Sequence, residues 1–156
     1  MESCRSERAA PAQSGHSDCL TEGIRVRVGA RLLPAQTDAT VGRWLYAYRV
    51  TISNEGDRPA RLLSRHWIIR DADNSQREVR GPGVVGKHPS LDPGESFSYV
   101  SSCPLETEWG TMEGWFHFER PDGEGFAARV GRFFLAPNVA PVPELDEWAA
   151  GAPRQP

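Results

Sequence analysis

The chain is poor in cysteine. It has three in 156 residues, Cys4, Cys19 and Cys103, and no Cys-x-x-Cys pair. The odd count and loose spacing argue against a disulfide framework or a zinc site, and fit a reduced compartment. No apolar run approaches the ~18 residues of a membrane-spanning helix. The first residues lack the apolar centre of a secretory signal. A cytoplasmic protein without membrane insertion is expected. Stretches of helical period are missing too. Charge of either sign is mild in excess, with 18 Lys and Arg against 21 Asp and Glu. That balance makes nucleic acid a poor partner, because such binding needs many phosphate contacts.

What is present reads as β-structure in one domain. Ile24, Val26 and Val28 alternate with Arg25, Arg27 and Gly29. Trp44, Tyr46, Tyr48, Val50 and Ile52 alternate with Leu45, Ala47, Arg49 and Thr51. Leu62–Ile69, Gln76–Arg80, the stretch around Phe97–Ser101, Met112–Phe118 and Phe126–Leu135 continue the series. Alternation of this kind marks half-buried strands. A phase shift near Gly131 predicts a bulge. Turn chemistry separates the runs at Asn54–Asp57, Asp71–Asn74, Asp92–Gly94 and Pro121–Gly123. About seven short strands predict an all-β, antiparallel β-sandwich, immunoglobulin-like in architecture. The Cys–Trp–Cys framework of antibody domains is missing, which points to the fibronectin-III-like kind.

The ends differ from the middle. Residues 1–20 are polar and predicted to be disordered. Residues 21–136 form the domain. Residues 137–156 carry Pro137, Pro141, Pro143, Pro153 and Pro156, which oppose regular structure. Within them Trp148 either folds back on the domain, binds a partner or is incidental. Strands 22–33 or 126–135, if they lie at sheet edges, offer a route to a homo-oligomer.

Charge is unevenly spread. Residues 61–87 hold six basic side chains against three acidic ones, and residues 92–124 hold eight acidic ones against Arg120 alone. Solvated strand faces explain most such clustering. A basic patch for a small anion or an acidic partner is the sharper reading.

Gly81-Pro82-Gly83-Val84-Val85-Gly86 matches G-x-G-x-x-G as a string. The mechanism behind that string needs a helix after it, whose N-terminus holds the pyrophosphate. Here Lys87-His88-Pro89 follows, and Pro89 disfavours helical angles at His88. Pro82 also removes an N–H. A connecting loop is the favoured reading. The alternative is an anion held by loop amides, with Arg80, Gly81, Gly83, Gly86, Lys87 and His88 as its site.

Other chemistry is thinly supported. His66, His88, His117 and Cys103 have no tight ligand spacing, so no metal site and no cofactor are expected. Ser64, Ser101, Ser102 and Cys103 lie in no nucleophile frame. Glu106, Glu108 and Glu113 flank Trp109-Gly110, where a solvated loop is the simpler reading than an acid–base pair or a hard-cation site. No catalytic constellation emerges. Most aromatics belong in the core. Trp115 shares a face with Glu113 and His117, and with Arg65 and His66 it makes a candidate partner surface.

Several blocks, taken in order, resemble the ApaG family. They are Tyr46–Asn54, Leu63–Ile69, Val79–Gly86, Pro89–Tyr99 and Gly110–Gly114, within residues 21–136. The resemblance implies a fibronectin-III-like β-sandwich, similar to a stand-alone bacterial ApaG protein and to domains attached to eukaryotic F-box and polymerase-delta-interacting proteins. It implies an association with cobalt and magnesium resistance or efflux. It also implies a glycine loop suggested to bind pyrophosphate, carried here by Gly81, Gly83 and Gly86. Neither association defines a reaction. The expected function is a non-enzymatic protein-interaction or ligand-binding module. Anion binding or a role in Co²⁺/Mg²⁺ resistance is the alternative.

Overall fold

The computed structural model describes residues 15–137 in full and residues 2–5 as backbone. Trp148 and the rest of residues 138–156 lie outside the described residues, as do 6–14. Ten strands run in the order β1 (Glu2–Arg5), β2 (His16–Thr21), β3 (Ile24–Leu32), β4 (Trp44–Asn54), β5 (Ala60–Asp71), β6 (Gln76–Pro82), β7 (Ser90–Leu91), β8 (Ser96–Leu105), β9 (Gly110–Glu119) and β10 (Gly125–Leu135). Sheet one has the order β1-β2-β3-β4-β8. Sheet two has the order β10-β9-β5-β6, with β7 added beside β5. All pairings are antiparallel. The predicted β-sandwich is therefore the fold, with more strands than expected because β1, β2 and β7 carry weak apolar patterns.

The inward row of each strand builds the core between the sheets. Tyr46, Tyr48, Val50 and Ile52 face inward from β4, and Trp67 and Ile69 from β5. The Trp67 ring meets Tyr48 edge-on at 5.6 Å, Phe116 at 5.7 Å and Phe133 at 6.1 Å. Such T-shaped contacts add to the large area that each ring buries.

Two expectations at the N-terminal side need correction. Residues 16–21 form strand β2 within the stretch predicted as disordered, paired along β3 from His16↔Gly29 to Thr21↔Ile24. Its Ser, Asp and His side chains hide it from a pattern search, because backbone pairing supplies what apolar periodicity does not. In consequence β3 is an interior strand and offers no edge for oligomerisation. Cys19 is also disulfide-bonded, against the expectation of none, while Cys103 is free. The backbone register sets Cys4 opposite Cys19. Three loosely spaced cysteines gave no sign of a cross-strand pair, because the strands that bring two of them together went unrecognised.

The predicted bulge near Gly131 is present, as a register shift between Val130 and Phe133. A second shift lies between Leu62 and Ser64 in β5. The β5–β6 turn closes at Asp71–Ser75 and the β9–β10 turn at Arg120–Glu124, at the expected turn sequences. Gly114 lets β9 press against β5: a Cβ there would come 1.9 Å from the His66 carbonyl oxygen.

Candidate functional site

The outer face of sheet two carries a cross-strand network. Register places His66 (β5) between Arg80 (β6) and Trp115 (β9), and Trp115 beside Arg129 (β10). The His66 Nε2 lies 2.6 Å from Glu78 Oε1 and the Arg80 guanidinium 3.2 Å from the same oxygen. The imidazole stands 5.3 Å from the Trp115 ring. On the other side the Arg129 Cζ sits 4.8 Å above that ring. Glu113 receives Arg129 at 2.6 Å and Arg132 at 2.8 Å. The indole is thus held between an imidazole and a guanidinium, each fixed by a carboxylate. These cation–aromatic and charge-assisted bonds restrain long side chains that would otherwise be mobile. His66, Glu113, Trp115 and Arg129 are partly buried on this face, and Glu78, Arg80 and Arg132 are exposed.

Charge tuning on this face favours the ionised carboxylates. Burial is the largest single influence on Glu113 and raises its pKa. The bonds and charges of Arg132 and Arg129 together outweigh it, so the net shift is downward. Glu78 is lowered by its bonds to His66 and Arg80.

Of the expected partner surface, His66 and Trp115 meet here. Arg65 does not join them. Its guanidinium turns to the other side of β5 and donates from Nη1 to the carbonyls of Pro82 and Gly83, each at 3.1 Å. It lies over Gly81, where a Cβ would come 2.9 Å from Nη1.

The glycine string folds in two parts. Gly81 and Pro82 end strand β6, so they are ladder rather than loop. Val84 to Lys87 is a tight hairpin closed by two backbone bonds of 2.9 Å, Val84 N–H to Lys87 O and Lys87 N–H to Val84 O. The Gly83 N–H donates to Leu63 O at 2.9 Å. Three amides of the proposed anion cradle are therefore occupied by carbonyls, and Pro82 has none to offer. Val84 is fully buried in the core. Gly83 has φ +60, and a Cβ there would lie 2.3 Å from Lys87 O. Packing demands account for the form of the string. Val85 takes φ +44 in the turn, a costly conformation for a β-branched residue. Arg80, Lys87 and His88 are exposed. The His88 ring lies 3.3 Å from Leu62 O. Arg65, His66, Arg80 and His88 thus divide between two places and do not converge on one pocket.

The other candidates scatter. Ser101, Ser102 and Cys103 are buried. Burial pushes the Cys103 thiol up to about 12, with the neighbouring Arg77 charge opposing it. A cleft of about 640 Å³ opens between the β5–β6 turn and the end of β8, lined by Asp71, Gln76, Arg77, Pro104 and Glu106 among others. Asp71 is raised by burial and accepts the Glu106 N–H at 3.3 Å. Among the described residues no three His, Cys, Asp or Glu side chains are grouped to hold a metal ion. No helix among them is long and apolar enough to cross a membrane.

Sequence patterns missed two structural side chains. Arg120 read as the lone base of an acidic stretch, yet it is buried and donates to three carbonyls. Asn54 read as a turn residue, yet its buried amide bonds the carbonyls of Arg58 and Leu91 and accepts the Gly56 N–H. Polar residues beside turns carry no periodic signal that reveals such roles.

These features define a fibronectin-III-like β-sandwich and set the chain apart from dinucleotide-binding α/β proteins. Residues 34–120 match the family model described as the ApaG domain. Protein ApaG of Dechloromonas aromatica is 47% identical over 120 residues, covering 77% of this chain and 94% of the relative. Protein ApaG of Anaeromyxobacter dehalogenans is 45% identical over 119 residues, covering 76% and 94%. The crystal structure of a Bordetella pertussis protein assigned as ApaA superposes with a TM-score of 0.73 at 40% identity, covering 82% of this chain and 99% of that one. The chain belongs to the ApaG family.

Proposed function

We propose that this ApaG-domain chain is a non-enzymatic binding module that receives a protein partner on the outer face of sheet two. The observation that carries this reading is Trp115, held between His66 and Arg129. Rigid aromatic and arginine side chains dominate the energetics of protein interfaces, because they bury area with little rotamer entropy to lose. The face supplies both types, already ordered. Its alternating arginines and glutamates favour a partner with matching charges of both signs around an apolar centre.

Immobilised full-length chain, exposed to lysate, tests this. A partner retained by the wild type is expected to bind Trp115→Ala or Arg80→Ala more weakly, by about 2 kcal/mol for a central anchor. Full retention of every partner by both variants would count against this face. Anion binding at the hairpin, or a role in Co²⁺/Mg²⁺ resistance, is the second reading. It draws support only from the exposed Arg80, Lys87 and His88 beside the hairpin. Calorimetry with pyrophosphate, nucleotides, Mg²⁺ and Co²⁺ separates the two.

A further inference from the structure

Strand β6 borders sheet two with one side of its backbone unpaired among the described residues. Its neighbour is β5 alone, from Ser64↔Pro82 to Arg70↔Gln76. The ladder settles which amides face outward. Antiparallel neighbours alternate between pairs that exchange both backbone bonds and pairs that exchange none. The Asp71 N–H donates to Ser75 O and the Gly83 N–H to Leu63 O, which sets the bonded pairs at the odd-numbered residues of β6. Arg77, Val79 and Gly81 therefore turn their N–H and C=O groups to β5. Gln76, Glu78 and Arg80 turn theirs to the open edge, and Pro82 adds a carbonyl there. Pro82 falls where β5 asks for no N–H, as the same alternation requires.

Other edges are guarded. Strand β10 leans on β2, where the Arg129 N–H donates to Thr21 Oγ1. Strand β8 carries Pro104, which has no N–H and whose carbonyl accepts from the Arg77 guanidinium. Over β6 the side chains of Glu78 and Arg80 are 44% and 72% exposed. Glu78 Oε1 takes both His66 and Arg80, and Oε2 has no partner among the described residues. An open edge of this kind is a template for another strand, and charge of one sign is a common guard against it. Strand β6 instead carries opposite charges two residues apart on one face.

We propose that a second copy of this chain adds to this edge, β6 to β6 and antiparallel, with the two-fold axis at Val79. In that register Glu78 of each copy faces Arg80 of the other. The outward backbone groups match as well: both bonds form at each Glu78–Arg80 pair, and one at each Gln76–Pro82 pair. Unlike charges directly across a ladder stabilise it, and like charges oppose it. Moving the axis by one residue keeps the backbone match but sets Glu78 against Glu78 or Arg80 against Arg80. Charge therefore selects the register. The two Val79 side chains meet on the inner side, where Val79 already packs at the margin of the core. Beyond the strand ends, the exposed Asp73 in the β5–β6 turn of one copy comes toward the exposed Lys87 of the other. Sheet two then runs through both copies, and the two His66–Trp115 faces lie side by side.

Sedimentation equilibrium of the full chain reads the association. The wild type is expected to dimerise reversibly. Glu78→Arg alone and Arg80→Glu alone should each weaken the dimer by about tenfold or more, because each change acts twice across the axis. An equal mixture of the two variants should associate again, since every charge then faces its opposite. Amide hydrogen exchange on the wild type needs no variant to fold. Raising the concentration should slow exchange at Gln76, Glu78 and Arg80, and leave Val79, already bonded to β5, unchanged. A wild type that stays monomeric overturns the proposal. So does a dimer that both variants leave at full strength, a mixture no tighter than either variant alone, or exchange at Glu78 and Arg80 that ignores concentration. Trp115→Ala leaves β6 untouched, so this reading and the partner face fail separately.

Discussion

The rings of His66 and Trp115 stand side by side across β5 and β9, 5.3 Å apart at their centroids and tilted by 36°. Arg129 occupies the opposite side of the indole. Trp115 is only half-buried, so its removal leaves a foldable domain. Trp115→Ala is expected to cost about 1–2 kcal/mol, the sum of one aromatic and one cation–aromatic contact. Urea unfolding measures this. A loss beyond 4 kcal/mol, on the order of a full core deletion, would make Trp115 core rather than surface and disqualify it as an interaction probe.

The ionised form of Glu113 is favoured by Arg132 and Arg129 over the opposing effect of burial. A carboxylate whose folded pKa lies below its unfolded value of about 4.3 stabilises the fold fully above that value. The contribution fades as pH falls through the lower, folded pKa. The melting temperature should therefore drop with acid below about pH 4.3. Glu113→Gln should lie below wild type at neutral pH and converge with it on acidification. Parallel curves from pH 6 to 3 would remove this pair from the acid response.

Much of the fold is legible in the sequence because its central strands alternate strictly. Trp44–Ile52 and Met112–Phe118 carry their own inside and outside, and the Asp- and Gly-bearing turns mark where they stop. The site is less legible. His66 and Trp115 come together only through the β5–β9 register, which the unexpected shift at Leu62/Ser64 helps to set. Arg65 was separated from them by the rule that neighbours in a strand face opposite ways. Strand β2 stayed hidden because Ser17, Cys19 and Thr21 are buried without being strongly apolar. The glycine string misleads for a physical reason: close backbone approach and positive φ demand glycine whether or not a phosphate is present.

Arg120 joins three loops. Its Nη1 donates to Arg58 O at 3.0 Å and Pro59 O at 3.2 Å, and its Nη2 to Glu22 O at 2.8 Å. Its Cζ lies 4.4 Å from the Phe126 ring centre. Removing the guanidinium leaves these carbonyls without that donor, at a cost of more than about 2 kcal/mol. A lysine cannot reproduce a planar fork serving both branches. Arg120→Lys should therefore be nearly as destabilised as Arg120→Ala in chemical unfolding. Substantial rescue by lysine would show that charge alone suffices.

Cys103 is a thiol buried beside Arg77, with its Sγ 3.5 Å from Nη2. Burial dominates and pushes it up to about 12, so the reactive thiolate is scarce at pH 8. Under non-reducing conditions, modification by an aromatic disulfide reagent should be slow and should accelerate with denaturant in step with unfolding. Fast stoichiometric reaction of the native protein would reveal an open, activated thiol instead.

Gly83 decides between architecture and anion binding in the glycine string. Its φ of +60 and a Cβ position 2.3 Å from Lys87 O make alanine strained in two ways. Backbone strain of this kind costs about 1–3 kcal/mol, and the close contact adds to it. Gly83→Ala should lower stability by at least about 2 kcal/mol, whereas Arg80→Ala and Lys87→Ala, both exposed, should change it by less than about 0.5 kcal/mol. If the string is architecture, wild-type protein titrated with pyrophosphate gives no binding heat, because the Gly83, Val84 and Lys87 amides already serve backbone carbonyls. Binding that is lost in Lys87→Ala, at unchanged stability, would instead establish an anion site on the outer side of the hairpin.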